Sequence, residues 1–167
     1  MDFSVDQVFA AGGDELARAY ASTELYGHLG GLPKLDTPEV LDREADGDVV
    51  RLRIRYRFVG DLSPAVTAVI DPRKLTWVEH STHDLAARTL TYRLAPDHYP
   101  DRLKSSGRCT ITDRTNGGSV RTVTGRLQVK ALIVGGAVER AIVSGLREHL
   151  AAEVAAVDRY LAGDRGQ

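Results

Sequence analysis

The sequence predicts an α+β fold in which a curved antiparallel sheet of seven to eight strands wraps around a long C-terminal helix. Residues 134–161 show helical periodicity over about seven turns. Most of the chain before them alternates between apolar and polar residues with the period of two that is typical of strands. Two short helical segments follow the first strand. A strongly amphipathic helix of this length needs a large apolar surface to cover, and the predicted sheet provides one.

The first strand is predicted by alternation of apolar and polar residues over positions 2–9. Its apolar positions are Phe3, Val5 and Phe9. Gly12-Gly13 ends the strand, and Asp14 is placed to be the N-cap of a short helix over residues 15–20. A second short helix is expected after Ser22, and the Gly-Gly-Leu-Pro sequence that begins at position 30 ends it.

From Asp36 onward the alternation resumes, and Asp46-Gly47 is a strong signal for a two-residue hairpin turn. The strand after this turn places arginines on one face and large apolar side chains on the other. The two sets are Arg51, Arg53, Arg55 and Arg57, and Leu52, Ile54, Tyr56 and Phe58. We expect the arginine face to lie in solvent, where charges oppose aggregation of the sheet. Phosphate or RNA binding is the alternative, but no aromatic residues are interleaved with the arginines.

The remaining strands follow one another closely. They are predicted at residues 64–70, 75–82, 88–94, 104–113 and 119–129. Asn116-Gly117 joins the last two, and it is the best hairpin dipeptide in the chain. Strands joined by tight turns pair with their neighbours in a meander, whose apolar face the C-terminal helix would cover.

The C-terminal helix carries a broad apolar arc. Its members are Val138, Ile142, Leu146, Leu150, Val154, Val157 and Leu161. Three ionisable side chains, Glu139, His149 and Glu153, interrupt the arc, and the last two can touch because they are four residues apart. In the ordinary arrangement, which we expect first, Glu153 extends past the rim of the sheet and His149 is a core histidine with a satisfied ring. In the alternative, both look into an unfilled space between helix and sheet.

Composition limits the function classes. The 167 residues suit one domain over residues 1–162, with a disordered tail at 163–167. A net charge of −1 argues against nucleic acid as a partner. No apolar run approaches the length of a membrane span, so membrane insertion and secretion are not expected. The lone Cys109 cannot form an internal disulfide and is expected to be buried and inert, which fits a cytoplasmic location. The chain is expected to be a monomer or a weak dimer.

The densest cluster of potential ligand groups is Glu-His-Ser-Thr-His-Asp at 79–84. His80 and His83 point to opposite faces of a strand, so no metal site is predicted, and no cofactor is expected. Glu79, Ser81 and His83 share the face of Trp77. That face either looks inward, with Glu79 and His83 as polar anchors in a cavity, or looks into water beside a packed Trp77.

The order of elements resembles the START-like, or birch-pollen-allergen-like (SRPBCC), superfamily with its helix-grip fold, from Met1 to about Leu161. Three regions are similar to an uncharacterised bacterial family within it. They are Gly30-Gly31-Leu32-Pro33-Lys34-Leu35, Thr76-Trp77-Val78-Glu79 through Thr82-His83-Asp84-Leu85-Ala86-Ala87-Arg88, and Val138-Glu139-Arg140-Ala141-Ile142-Val143-Ser144-Gly145-Leu146. The resemblance implies a cavity between sheet and helix that holds apolar small molecules such as lipids, sterols or polyketides. Some superfamily members are cyclases or hydratases, without a shared catalytic motif. The Gly12-Gly13 pair departs from the pattern, because a firmer, more apolar helix is expected there.

Three functions follow from these observations. The first is non-catalytic binding or transport of an apolar or amphipathic small molecule. The residues expected to bind it are Phe3, Val5, Leu52, Ile54, Tyr56, Phe58, Trp77, Glu79, His83, Ile142, Leu146, His149 and Glu153. The second is an enzyme of cyclase or dehydratase type, a lyase or isomerase, with His83 or His149 as base and Glu79 or Glu153 as an acid of raised pKa. The third is a protein-interaction module without a ligand.

Overall fold

The computed structural model describes residues 1–130 and 135–163. Seven antiparallel strands form one sheet in the order β1-β7-β6-β5-β4-β3-β2. The strands are β1 (Asp2–Phe9), β2 (Glu39–Asp46), β3 (Val49–Arg57), β4 (Thr76–Asp84), β5 (Thr89–Pro96), β6 (Leu103–Asp113) and β7 (Ser119–Val129). The helices are α1 (Gly13–Tyr20), α2 (Glu24–Gly27), α3 (Pro64–Thr67) and α4 (Gly135–Leu161), with a 3-10 turn at Pro72–Lys74. The predicted helix-grip fold, with two short helices after β1 and a long helix on the sheet, is confirmed.

The segment at residues 64–70 was the main error in the sequence prediction, because it forms helix α3 and no strand. Ser63 has extended backbone, and Pro64 begins the helix, where a proline fits because its missing N–H has no partner to lose. Val66 is the buried residue of this short helix. The sheet therefore has seven strands and not eight.

The start of α1 also differs from the prediction, because Asp14 is not its N-cap. The Asp113 carboxylate from the end of β6 takes that role and accepts a hydrogen bond from the Gly13 N–H at 2.7 Å. Asp14 instead binds Arg88, whose Nε lies 2.6 Å from its carboxylate. A Cβ at Gly13 would lie 2.7 Å from an Arg88 guanidinium nitrogen. Gly13 therefore makes room for Arg88, which ties α1 to the sheet.

Helix α4 lies against the sheet through the predicted apolar arc, none of whose members is exposed. Of the three interrupting side chains, Glu139 accepts a hydrogen bond from the Val129 N–H at 2.8 Å and so ties the helix to the end of β7. The predicted first residue of the helix, Val134, lies outside the described residues. So does the expected tail, apart from Gly163.

The apolar core has two parts. One lies beneath α1 and α2 and includes Leu52 and Ile54, which are 1% and 0% exposed. The other lies between β1, β5, β6, β7 and the first half of α4, where Val5 and Ile142 are half-buried. Cys109 belongs to this second part and is buried, as predicted. The arginine face of β3 is exposed on the other side of the sheet. No helix in the described ranges has the length and apolar character needed to cross a membrane.

Candidate functional site: a cavity between the sheet and helix α4

A cavity of about 130 Å³ lies between the sheet and α4, where the two parts of the core meet. Its apolar lining residues are Phe3, Leu29, Leu35, Trp77, Leu90, Leu94, Val123, Leu146 and Leu150. Its polar or ionisable lining residues are Tyr20, Tyr26, Tyr56, Glu79, Tyr92, Ser105, Cys109, Arg121, His149 and Glu153. A cavity of about 150 Å³ holds benzene, whereas sites for drug-sized ligands span about 300–1,000 Å³. The cavity therefore matches a molecule with one ring or a short chain.

The structure brings about half of the predicted ligand-binding residues to this cavity. Those that line it are Phe3, Tyr56, Trp77, Glu79, Leu146, His149 and Glu153. Those that do not line it are Val5, Leu52, Ile54, Phe58, His83 and Ile142. Leu52 and Ile54 point to the correct face of the sheet, but α1 and α2 cover them completely. Val5 and Ile142 pack into the second part of the core, and Phe58 lies beyond the end of β3, where it pairs with Leu35.

His83 lies on the inner face of β4, but beyond the cavity. It borders a separate space of about 10 Å³, and its Nε2 lies 3.1 Å from the Ser81 hydroxyl. Burial, together with the charges of Arg121 and Arg43, lowers the pKa of His83 to about 4. This histidine is therefore neutral and enclosed at neutral pH, and it is not positioned to act on a molecule in the cavity.

The register of β4 explains why the face of Trp77 looks inward. Trp77, Glu79 and Ser81 pair with Tyr56, Ile54 and Leu52, the apolar face of β3. Because directly paired residues point to the same side of an antiparallel sheet, the indole and the Glu79 carboxyl face α4. Of the two alternatives, the one in which Glu79 and His83 lie in water is therefore wrong.

Arg121 of β7 is the charged centre of the cavity wall. Its guanidinium lies over the Tyr20 ring, 4.0 Å from the ring centroid. Nη1 donates to Gln7 Oε1 at 2.6 Å and lies 3.7 Å from Glu153 Oε1. Nη2 lies 3.5 Å from Cys109 Sγ. Arg121 Nε is buried and has no hydrogen-bond partner among the described residues.

Glu153 joins the two helices to this arginine. The Tyr20 hydroxyl of α1 donates to Glu153 Oε1, and His149 Nε2 lies 3.7 Å from Glu153 Oε2. His149 Nδ1 is 2.9 Å from the Pro33 carbonyl oxygen; since a carbonyl can only accept, Nδ1 carries the proton of that hydrogen bond. The side chains of His149 and Glu153 are only 6% and 7% exposed. The expectation that Glu153 extends past the rim of the sheet is therefore wrong.

The Glu79 carboxyl differs from the side chains of Arg121, His149 and Glu153 because it has no hydrogen bond to any described residue. Protein surrounds it, and its remaining accessible surface borders the cavity. Burial raises its pKa to about 7; the positive charge of Arg121 opposes this shift and the negative charge of Glu153 adds to it. Near neutral pH, the Glu79 carboxyl is therefore present in both its protonated and its ionised form.

Aromatic side chains form much of the wall around Glu79. The Tyr56 and Trp77 rings stack, with centroids 5.9 Å apart, and the Tyr26 hydroxyl donates to the Tyr20 carbonyl at 2.7 Å. Tyr92 lies across the paired glycines Gly107 and Gly125. A Cβ at either glycine would come within 2.5 Å of the Tyr92 hydroxyl oxygen, so these glycines make room for the ring.

Among the polar lining residues, those not predicted from the sequence include Arg121, Tyr20, Tyr26 and Tyr92. A usable signal for Arg121 existed, because it shares strand parity with Val123 and Leu127, which are plainly apolar and buried. Tyr20 and Tyr26 belong to α1 and α2, whose side-chain directions depend on how the helices dock and leave no such signal. No group of three or more His, Cys, Asp or Glu side chains within the described residues is arranged to hold a metal ion.

Solved structures with the same fold include an aromatase/cyclase. TTHA0849 from Thermus thermophilus superposes with a TM-score of 0.71 at 15% identity, covering 98% of each chain. The Zhui aromatase/cyclase from Streptomyces sp. R1128 superposes with a TM-score of 0.59 at 15% identity, covering 99% of this chain and 93% of its own. Ara h 8.0201 gives 0.59 at 14% identity, covering 98% and 99%. Identities this low show a shared fold alone.

At the level of sequence, none of the curated proteins matches this chain significantly. One family model does, and it spans residues 1–161, nearly the whole chain. Both the fold and the cavity described above lie within this range. The chain therefore belongs to the family described as "Protein of unknown function (DUF2505)".

Proposed function

We propose that the protein binds a small, mainly apolar molecule with one polar end in the cavity between the sheet and α4. The observation that carries this proposal is that the cavity lining combines a largely apolar wall with one carboxyl group that has no partner within the described part of the chain. Aromatic and aliphatic side chains form most of the wall, and Glu79 presents a carboxyl group that no described residue satisfies. Ligand sites commonly combine an apolar wall with a few converging polar groups. The resemblance to START-like proteins, which hold apolar molecules in this position, supports the same function.

The driving force would be burial of ligand hydrocarbon, at about 25 cal/mol per Å², less the cost of immobilising the ligand. The size of the cavity limits this gain to one ring or a short chain. A whole sterol or polyketide would need the wall to move, so we propose a smaller ligand, or the end of a larger one.

Native mass spectrometry of gently purified protein tests the proposal directly, because a bound molecule adds its mass to the intact chain. A cavity-filling variant sharpens the test. Leu146→Trp should fill the space and abolish binding of toluene, followed by NMR shifts of lining residues. The matched control is Arg147→Trp, which adds the same ring to the exposed side of α4. Toluene binding that survives in a folded Leu146→Trp variant would contradict the proposal.

A second function is an enzyme of cyclase or dehydratase type, a lyase or isomerase, in the same cavity. Glu79 favours it, because a carboxyl group with a pKa of about 7 can donate and accept a proton near neutral pH. His149 and Glu153 line the same cavity and could take the complementary role, whereas His83 lies outside it. Aromatase/cyclases share this fold. If a substrate is found, Glu79→Gln should remove turnover and leave substrate binding measurable.

The remaining predictions stay as part of this proposal. A protein-interaction module is the least supported function, because it predicts a space filled by side chains where a cavity lies. We retain a cytoplasmic location, a single domain over residues 1–162 and a monomer or weak dimer. Size-exclusion chromatography with light scattering tests the last of these.

A further inference from the structure

We propose that the polar end of the ligand is an ammonium group, which binds the Glu79 carboxylate inside a cage formed by Tyr26, Tyr56, Trp77 and Tyr92. This inference rests on the proposed binding function and specifies the chemistry of the ligand. It follows from the charges that line the cavity, from the surroundings of Glu79 and from the size of the space.

The charges of the lining leave one acid uncompensated. The charges of Arg121 and Glu153 compensate each other, with Nη1 and Oε1 3.7 Å apart. Arg121 also donates a hydrogen bond to Gln7 and contacts the Cys109 sulfur. Glu79 has no such partner among the described residues. With His149 neutral, an ionised Glu79 therefore leaves the cavity lining with a net negative charge, which favours a cation.

An anionic ligand is disfavoured for the same reason. Its carboxylate or phosphate would meet both Glu79 and Glu153 in a poorly solvated space, where like charges repel strongly. Arg121 is a poor partner for such a ligand, because the Glu153 carboxylate already lies 3.7 Å from Nη1 and the unpaired Nε has almost no accessible surface. A purely apolar ligand would fit the walls but would leave the Glu79 carboxyl dehydrated and without a hydrogen bond, which is costly.

The rings near Glu79 suit a cation. Tyr26, Tyr56 and Tyr92 line the cavity together with Glu79. Burial raises the pKa of each of these hydroxyl groups, and the charge of the nearby Glu79 carboxylate adds to the shift. Trp77 is two positions away on the same face of β4, stacked on Tyr56. Aromatic faces attract ammonium groups, most strongly where water is excluded. An ammonium group beside the Glu79 carboxylate could therefore form an ion pair with it and cation–π contacts with the surrounding rings.

The size of the cavity determines which test ligands can be used to examine this inference. A single ring bearing one polar group fits a space of about 130 Å³. Toluene, benzyl alcohol, benzylammonium and benzoate share a ring and differ in charge and hydrogen bonding. Their affinities for the full chain, measured by NMR titration about one unit above the Glu79 pKa, separate shape from charge.

We expect benzylammonium to bind at least about tenfold more tightly than toluene, since a hydrogen bond to a charged group is worth that much or more. Benzoate should bind most weakly. Glu79→Gln keeps the shape of the side chain and removes its charge. It should therefore reduce the affinity for benzylammonium about tenfold and change the affinity for toluene by no more than about twofold. The control is Glu44→Gln, an equal charge change on an exposed strand position.

The outcomes separate the two proposals. If toluene or benzoate binds as tightly as benzylammonium, or if folded Glu79→Gln binds benzylammonium unchanged, the ammonium inference is overturned and the binding function stands. If none of the four probes binds, both fail. Thermal unfolding of each variant confirms that it is folded before it is titrated.

Discussion

The Tyr20 hydroxyl donates a hydrogen bond to the Glu153 carboxylate across 133 positions of sequence. This contact fastens the short helix α1 to the long helix α4 inside the protein. It also orients Glu153 toward Arg121, so that one carboxylate contacts the Tyr20 hydroxyl, the Arg121 guanidinium and the His149 ring. The polar side of the cavity is thus a connected network whose members depend on one another.

The first prediction concerns this hydrogen bond. Tyr20→Phe should lower the free energy of unfolding by about 1–3 kcal/mol, because Glu153 then loses a donor that water cannot easily replace. Tyr26→Phe is the comparison, since its hydroxyl donates to a neutral backbone carbonyl and its loss should cost about 0.5–1.5 kcal/mol. Urea unfolding measures both. An equal or smaller effect at Tyr20 would show that the Glu153 contact has no special weight.

The second prediction concerns Arg121. Arg121→Met should destabilise the protein by about 3–5 kcal/mol, because it leaves the buried Glu153 without its cation. Adding Glu153→Gln should recover part of this loss, since the unpaired charge is then gone. Arg126→Met, which breaks an exposed pair with Asp2, should change stability little. A double variant less stable than Arg121→Met would contradict the proposed coupling.

The third prediction is a pH dependence due to Glu79. Its pKa rises from the usual 4.5 to about 7 in the folded chain, so the folded state binds more protons than the unfolded state between these values. Stability from this group is complete below pH 4.5 and is lost as the pH rises through 7. Relative to Glu79→Gln, the wild type should lose at most about 3 kcal/mol over this window. Denaturant titrations at several pH values measure it; a constant difference would contradict the raised pKa.

The fourth prediction has the opposite sign and concerns His83. Its pKa falls from 6.5 to about 4 on folding, so the stability it contributes is complete above pH 6.5 and is lost as the pH falls through 4. Relative to His83→Gln, the wild type should weaken by up to about 3 kcal/mol over this window. Because Glu79 and His83 oppose one another between pH 4.5 and 6.5, the wild type alone can show a flat profile. If the His83→Gln difference does not vary with pH, the histidine titrates normally.

Much of the fold could be predicted because its signals are local. Alternation located β1 and β3, hairpin dipeptides located two turns, and helical spacing gave α4 to within one residue of its described start. The strand predicted at residues 64–70 was wrong because a short apolar run has no clear period. Pro64 fits the start of a helix as readily as the edge of a sheet.

The cavity was only half predictable, for a different reason. Parity along a strand tells which side chains share a face, and it correctly put Trp77 and Glu79 on the same face of β4. It left open whether that face looks inward, which the pairing with β3 decides. It does not tell how deep the space is at each point along the strand. Leu52 and Ile54 share that face, but the docking of α1 and α2 decides that they are covered. Arg121 pairs with Glu153 through tertiary packing, which no local pattern encodes.

Gly107 and Gly125 have a consequence for related chains. The Tyr92 ring rests where two methyl groups would otherwise stand, so the shape of the chamber depends on atoms that these positions lack. A homologue with alanine at position 125 would have to turn both Tyr92 and Phe3 aside, because the added Cβ would lie 2.4 Å from the Tyr92 hydroxyl oxygen and 2.6 Å from a Phe3 ring carbon. At position 107 the added Cβ would also meet the Thr124 carbonyl oxygen at 2.1 Å, so the pairing of the two strands would have to shift. Within one fold, a single methyl group can therefore change the outline of the chamber.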